Sequence, residues 1–251
     1  MSGAAPRTHF PDFDVLAGHE AWDAYTRSVV LQRLRPPKPT TLTGQEVQTL
    51  RAVLARLLSE ERDAILDFAV AHIDRRVRSA VGEGQRKPGV PPEADLVRLG
   101  LAALELVVRT RHGQGFAACE ARQQVAILSA LQKGEVAEMQ GSPQKELFKK
   151  LLGLGVDACA SHPAVWSEMG YAGPAYPRGY YRLDRGVRDP WEPRSAVPHR
   201  GETDMDGPAG AGDDRATAGG RDGRADGTAA PGQGGRDGAN GRDAADGRGR
   251  D

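Results

Sequence analysis

Aromatic residues make up only 5% of this 251-residue chain: five Phe, five Tyr and three Trp. Cysteine is scarcer still. Cys119 and Cys159 are the only two, and no Cys-x-x-Cys occurs. A disulfide framework and a thiolate metal cluster are therefore excluded, and two cysteines among apolar neighbours read as small core residues. No apolar run approaches the roughly 20 residues of a membrane-spanning helix, so no transmembrane segment is expected. Charge of one sign is missing too, with 34 basic and 34 acidic residues. From Gly201 onward there is no Val, Ile, Leu, Phe, Tyr or Trp, and Met205 is the only larger apolar side chain. That stretch holds 15 of the 32 glycines and repeats Gly-Arg-Asp at Gly220, Gly235 and Gly241. It has too little apolar surface to offset the entropy of ordering, so a disordered tail over 193–251 is expected. Residues 201–251 carry eleven acids and seven arginines, leaving 27 basic and 23 acidic residues in the first 200. A net +4 is too mild to argue for a nucleic-acid surface.

Catalytic constellations are missing as well. The histidines, His9, His19, His72, His112, His162 and His199, fall at no metal-ligand spacing. There is no His-Glu-x-x-His and no Gly-x-Ser-x-Gly. Gly82-x-Gly84 lies in a polar loop, far from the strand-to-helix setting of a dinucleotide fingerprint. A di-iron bundle needs paired Glu-x-x-His, and no Glu here has a His three residues on. No catalytic, cofactor-binding or metal-binding residue is assigned, and the chain is read as a non-enzyme.

What is present is helical periodicity. A helix is expected over His19–Leu34, ending before Pro36-Pro37-Lys38-Pro39. Thr43 and Glu46 have the spacing of a capping box before Val47, Leu50, Leu54 and Leu57. Ser59 reads as a cap for a further helix carrying Ile65, Phe68, Ile73 and Val77. Pro91-Pro92-Glu93 opens the next, and Gly113 closes it. Phe116–Leu131 reads as one helix ended by Gly134. Ser142-Pro143 starts the last, whose Gly153 and Gly155 signal either a close helix approach or a break. Gln124 falls near the inward face, as a satisfied buried amide or a partner contact. The expected fold is all-α: a single bundle of five or six helices with a long ordered aromatic C-terminal loop. The layout is an N-terminal arm over 1–17, a helical domain over 18–192 with the aromatic loop at 161–181, and the tail.

The few aromatics are concentrated. Trp166, Tyr171, Tyr176, Tyr180, Tyr181 and Trp191 share one stretch with many Pro and Gly. Trp, Tyr and Arg are the residues that anchor protein interfaces. The partner-contact candidates are therefore His162, Trp166, Tyr171, Tyr176, Arg178, Tyr180 and Tyr181. Trp166 and Met169, three apart, also fit packing into the chain's own core, and His162 before Pro163 fits a capping role.

The segment His-Pro-x-x-Trp at 162–166, followed by Gly-x-x-Gly-Pro-x-Tyr-Pro-Arg-Gly-Tyr at 170–180, resembles the C-terminal signature of the gluconate 2-dehydrogenase subunit 3 family. Other pieces agree in order: Trp22–Val30, Thr41-Leu42-Thr43, Gly100–Glu105, Gly115-Phe116, Gln123-Gln124 and Ile127–Leu131. The resemblance implies a small, non-catalytic accessory subunit supporting folding, export or assembly of a large dehydrogenase subunit. That partner is a glucose–methanol–choline-type flavoprotein holding FAD and oxidising a sugar or polyol, often with a cytochrome c subunit as electron acceptor. Family complexes are periplasmic or membrane-associated, and many members carry a twin-arginine signal. Met1–Leu16 has neither paired arginines nor an apolar signal core, which by itself reads as cytoplasmic. The competing reading is a nucleic-acid-binding helical module with an Arg/Gly tail.

Overall fold

The computed structural model describes residues 8–79, 86–180, 182 and 188–196. Within them run seven α-helices: α1 (Ala24–Gln32), α2 (Gly44–Leu57), α3 (Asp63–Arg78), α4 (Glu93–His112), α5 (Ala121–Lys133), α6 (Gln144–Cys159) and α7 (Pro163–Met169). Short 3-10 turns cover Val15–Ala21, Phe116–Ala118 and Ala137–Met139. No strand occurs among the described residues, so the fold is all-α as the periodicities predict. The count exceeds the expected five or six because α7 forms inside the segment read as a loop. Most of the expected tail, 197–251, lies outside the described residues, as does the Gly82-x-Gly84 loop.

Helix α6 lies at the centre, packed on α2, α3, α4 and α5. Leu147, Leu151 and Leu154 recur along it at helical spacing and are buried. They meet Leu50 and Leu54 of α2, Ile73 of α3 and Leu101 and Leu104 of α4 in one apolar core. Burying a side chain of this size stabilises by about 1.5–3 kcal/mol. Two glycines set how closely the helices approach. A Cβ on Gly100 of α4 would lie 2.4 Å from Leu147, and one on Gly155 of α6 would lie 2.8 Å from Leu54. Gly153 has open space around it, and α6 runs through both glycines unbroken. Of the two readings left open, close approach therefore holds, at Gly155.

The end signals act largely as their chemistry dictates. Thr43 accepts from the Glu46 amide at 3.2 Å, and Glu46 accepts from the Thr43 amide at 2.7 Å. Gly113 and Gly134 close α4 and α5 in the left-handed conformation, with φ of 69° and 76°. Three boundaries differ. The helix expected over His19–Leu34 is split, because Trp22 is extended and Asp23 caps a new start through Tyr25 and Thr26. Ser59 caps nothing; its φ is 50°, and Glu60 accepts from the Glu61 and Arg62 amides in its place. Cys119 is extended and breaks Phe116–Leu131, with Glu120 and Gln123 forming a second capping box. Gln124 is a satisfied buried amide, donating to the Phe116 carbonyl at 2.8 Å.

Asp74 holds the proline linker to the bundle. Its buried carboxylate accepts from the amides of Thr40 at 2.9 Å, Thr41 at 2.8 Å and Leu42 at 2.7 Å. Burial alone would push its pKa up; the three amides outweigh burial and leave it below the ordinary value. Asp74→Ala strands these amides and is expected to cost about 2–4 kcal/mol in urea denaturation, with Asp74→Asn recovering part of the loss.

Candidate functional site

The signature segment begins with a cap. His162 precedes Pro163 at the first position of α7, and its Nδ1 accepts from the Ala164 amide at 3.2 Å. The proton of the neutral ring is thereby placed on Nε2, which is buried and has no hydrogen-bond partner among the described residues. Burial, then the charge of Arg62, lowers the His162 pKa, so the imidazole is neutral at pH 7. Its ring meets Phe68 of α3 edge-on, with centroids 5.5 Å apart. One turn on, Trp166 is buried and donates from Nε1 to the Ala160 carbonyl at 2.7 Å. Arg33 lies over the Trp166 ring at 5.0 Å and donates to the Ser161 carbonyl at 2.7 Å. Tyr171 packs edge-on against Trp166 at 5.2 Å.

Trp166 does not join the main core. It forms a second one with Val15, Trp22 and Val30, against which Phe13 and Leu16 pack. The N-terminal residues thus lie on the signature segment. The Val15 amide donates to Ser167 Oγ at 3.1 Å, and the Thr8 hydroxyl donates to the Glu168 carbonyl. Two glycines allow this contact. Gly170 and Gly173 have φ of 70° and 80°, and a Cβ on either would lie 2.4 Å from the ring of Phe10 or Trp22 respectively. A charge bridge adds a third tie. Arg62 donates to Glu60 from Nε at 2.9 Å and Nη2 at 2.6 Å, and also to both carboxylate oxygens of Glu168. The Arg62 bonds draw the buried Glu60 carboxyl down from 4.5 to about 2.

Beyond α7 the side chains part company. Tyr171, Tyr176 and Tyr180 are 40%, 71% and 49% exposed. Arg178 turns back on its own chain. It donates to the Ala172 carbonyl at 2.5 Å and lies 4.8 Å over the Trp191 ring, and burial lowers its pKa. Of the seven sequence candidates, then, His162 and Trp166 are internal supports and Arg178 is an internal staple. Tyr171, Tyr176 and Tyr180 face solvent, and Tyr181 lies outside the described residues. Met169, which also fitted the core, is 54% exposed. Sequence reading missed Phe10, Arg33, Glu60, Arg62 and Glu168 as supports. Gly170, one residue past the Trp166–Met169 spacing, was the available sign of a helix end. Among the described residues no group of His, Cys, Asp or Glu gathers as a metal would need. No helix there is long and apolar enough to cross a membrane.

Two outcomes follow from this geometry. Gly173→Ala forces a Cβ into the Trp22 ring at a left-handed φ and is expected to cost about 2–4 kcal/mol, read as a lower urea midpoint with loss of the near-UV tryptophan signal. The Glu60 carboxyl titrates at 4.5 unfolded and about 2 folded, so its contribution is complete above 4.5 and is lost as pH falls towards 2. Glu60→Gln should flatten that part of the stability curve and cost roughly 2 kcal/mol at neutral pH, after allowance for the partly exposed Arg62.

A family model described as Gluconate 2-dehydrogenase subunit 3 matches residues 44–173. The match opens at the first residue of α2 and closes at the glycine beneath Trp22, taking in α2 to α7 and the buried part of the signature. No curated protein and no solved structure matches the chain. A match over more than half its length, on the residues that build both the bundle and the signature, means that the chain belongs to the gluconate 2-dehydrogenase subunit 3 family.

Proposed function

We propose that this chain is the small, non-catalytic subunit of a dehydrogenase complex that oxidises a sugar or polyol, and that it supports the folding or assembly of the large subunit. In this reading the large subunit is a flavoprotein of the glucose–methanol–choline type, and its FAD carries the redox chemistry. A cytochrome c subunit is the natural electron acceptor, and the small subunit shares its partner's compartment. The family membership supports the subunit role. The observation that carries the contact surface is the pairing of Tyr176 and Tyr180, 71% and 49% exposed, with a segment anchored by the buried Trp166.

Large aromatics left in water on an irregular backbone are costly unless another surface covers them. Here their backbone is pinned on both sides: Gly173 under Trp22, and Arg178 on the Ala172 carbonyl. Little conformational freedom remains to be lost on binding, and a tyrosine has only two side-chain torsions to fix.

Tyr176→Ala combined with Tyr180→Ala is expected to weaken capture of the co-expressed flavoprotein at least tenfold, while the melting temperature of the isolated chain stays within about 2 °C of wild type. Omitting the chain altogether should lower the yield of active flavoprotein. A flavoprotein that assembles and turns over normally without this chain would refute the subunit role.

A further inference from the structure

A cleft of about 330 Å³ opens between the end of α1, the proline linker and the middle of α3. Pro36, Pro37 and Phe68 form its apolar walls, and Arg33, His72 and Arg75 project into it. The two arginines stand apart from most others in the bundle. Arg51, Arg62, Arg76, Arg98, Arg109, Arg111 and Arg122 all pair with carboxylates. Among the described residues, Arg33 and Arg75 pair with none. Arg33 reaches only the Ser161 carbonyl and the Trp166 face, and Arg75 reaches only His72 Nδ1, at 3.4 Å. Asp157 of α6 acts on His72 by its charge but forms no ion pair with either arginine.

This arrangement has an energetic consequence. Two like charges beside apolar walls raise each other's energy; burial and then the Arg75 charge depress the Arg33 pKa. Burial and then Arg75 depress His72 in the same way. A carboxylate entering the cleft relieves both arginines at once and meets guanidinium groups whose flat forks match it. The walls suit the aliphatic stem of such a side chain. The cleft also adjoins the signature, since Arg33 stacks on Trp166 and Ser161 lies on its rim.

We infer that this cleft receives an acidic side chain of the partner dehydrogenase, a Glu or Asp whose carboxylate sits between Arg33 and Arg75 with its stem against Pro36, Pro37 and Phe68. The inference rests on the proposed subunit role and adds a second, charge-based contact beside the tyrosines.

Arg75→Glu is the decisive variant, because Arg75 is exposed and supports nothing but His72. The full-length chain and its flavoprotein partner are brought together at low and at high salt, and the dissociation constant is measured. Arg75→Glu should weaken binding at least tenfold at low salt and reduce the salt dependence, with a melting temperature for the free chain no lower than that of wild type. Arg75→Lys should stay within about threefold of wild type. Hexaglutamate should compete with the partner, and a short oligothymidylate should not. Wild-type affinity in Arg75→Glu overturns the acidic contact while leaving the subunit role intact. Competition by the oligothymidylate but not by hexaglutamate overturns it in favour of a phosphate site. Failure of the wild-type chain to bind the flavoprotein refutes the subunit role itself.

Discussion

The ring of Trp22 rests on the backbone of Gly173 so closely that no side chain fits between them. Everything distinctive about the signature segment depends on that contact and on the small core around it. Trp166, Trp22, Val15 and Val30 bury one another away from the main bundle core. Residues before α1 and residues after α6 are thereby folded together, although some 150 positions separate Val15 from Ser167. The same packing explains the composition of the segment. Gly170 and Gly173 are small because Phe10 and Trp22 occupy the space a Cβ would need, and His162 is buried because it must cap α7 beneath Phe68.

A division of labour among the aromatics follows. Trp166 is an anchor, and Tyr171 leans against it with part of its surface in solvent. Tyr176 and Tyr180 project from a backbone tied by the Gly179 amide to the Ala175 carbonyl and by Arg178 to the Ala172 carbonyl. Arg178, the only charged residue among them, holds the loop to itself by way of Ala172 and Trp191. A rigid display of this kind suits recognition of another protein, because the ordering cost is met when the chain folds and not when it binds.

Charge is distributed on a similar plan. Three buried acids gather donors from separate parts of the chain: Asp74 from the proline linker, Glu93 from Arg76 and Lys150, and Glu105 from Thr49, Arg109 and the Phe116 amide. Such carboxylates stabilise only while their donors stay in place, so they fix the relative positions of the helices. Asp74 does one thing more. By fastening residues 40–42 to α3 it holds the adjoining prolines over the cleft that Arg33 and Arg75 share.

Much of the bundle was legible because its signals are local. The Thr43–Glu46 box, the terminal Gly113 and Gly134 and the Leu stripes of α2 and α6 are short-range patterns with a single physical reading. Misreadings came where a long-range contact overrode the local one. The Trp22–Val30 stretch has helical periodicity, yet Trp22 is pulled out of the helix to cover Gly173. Seven residues of α7 are hidden in a Pro- and Gly-rich stretch because their stability comes from Trp166 burial and the Arg62–Glu168 bridge, not from helix propensity. The candidate site was legible as a segment but not residue by residue: composition marks Trp, Tyr and Arg alike, whereas packing turns Trp166 and Arg178 inward and Tyr176 and Tyr180 outward. The most direct test of that outward face is amide hydrogen exchange on the full chain, alone and mixed with the proposed flavoprotein partner. Slowed exchange at Tyr176, Arg178, Gly179 and Tyr180 on binding is the predicted result. Unchanged exchange there, with protection confined to α4 and α5, would contradict the account.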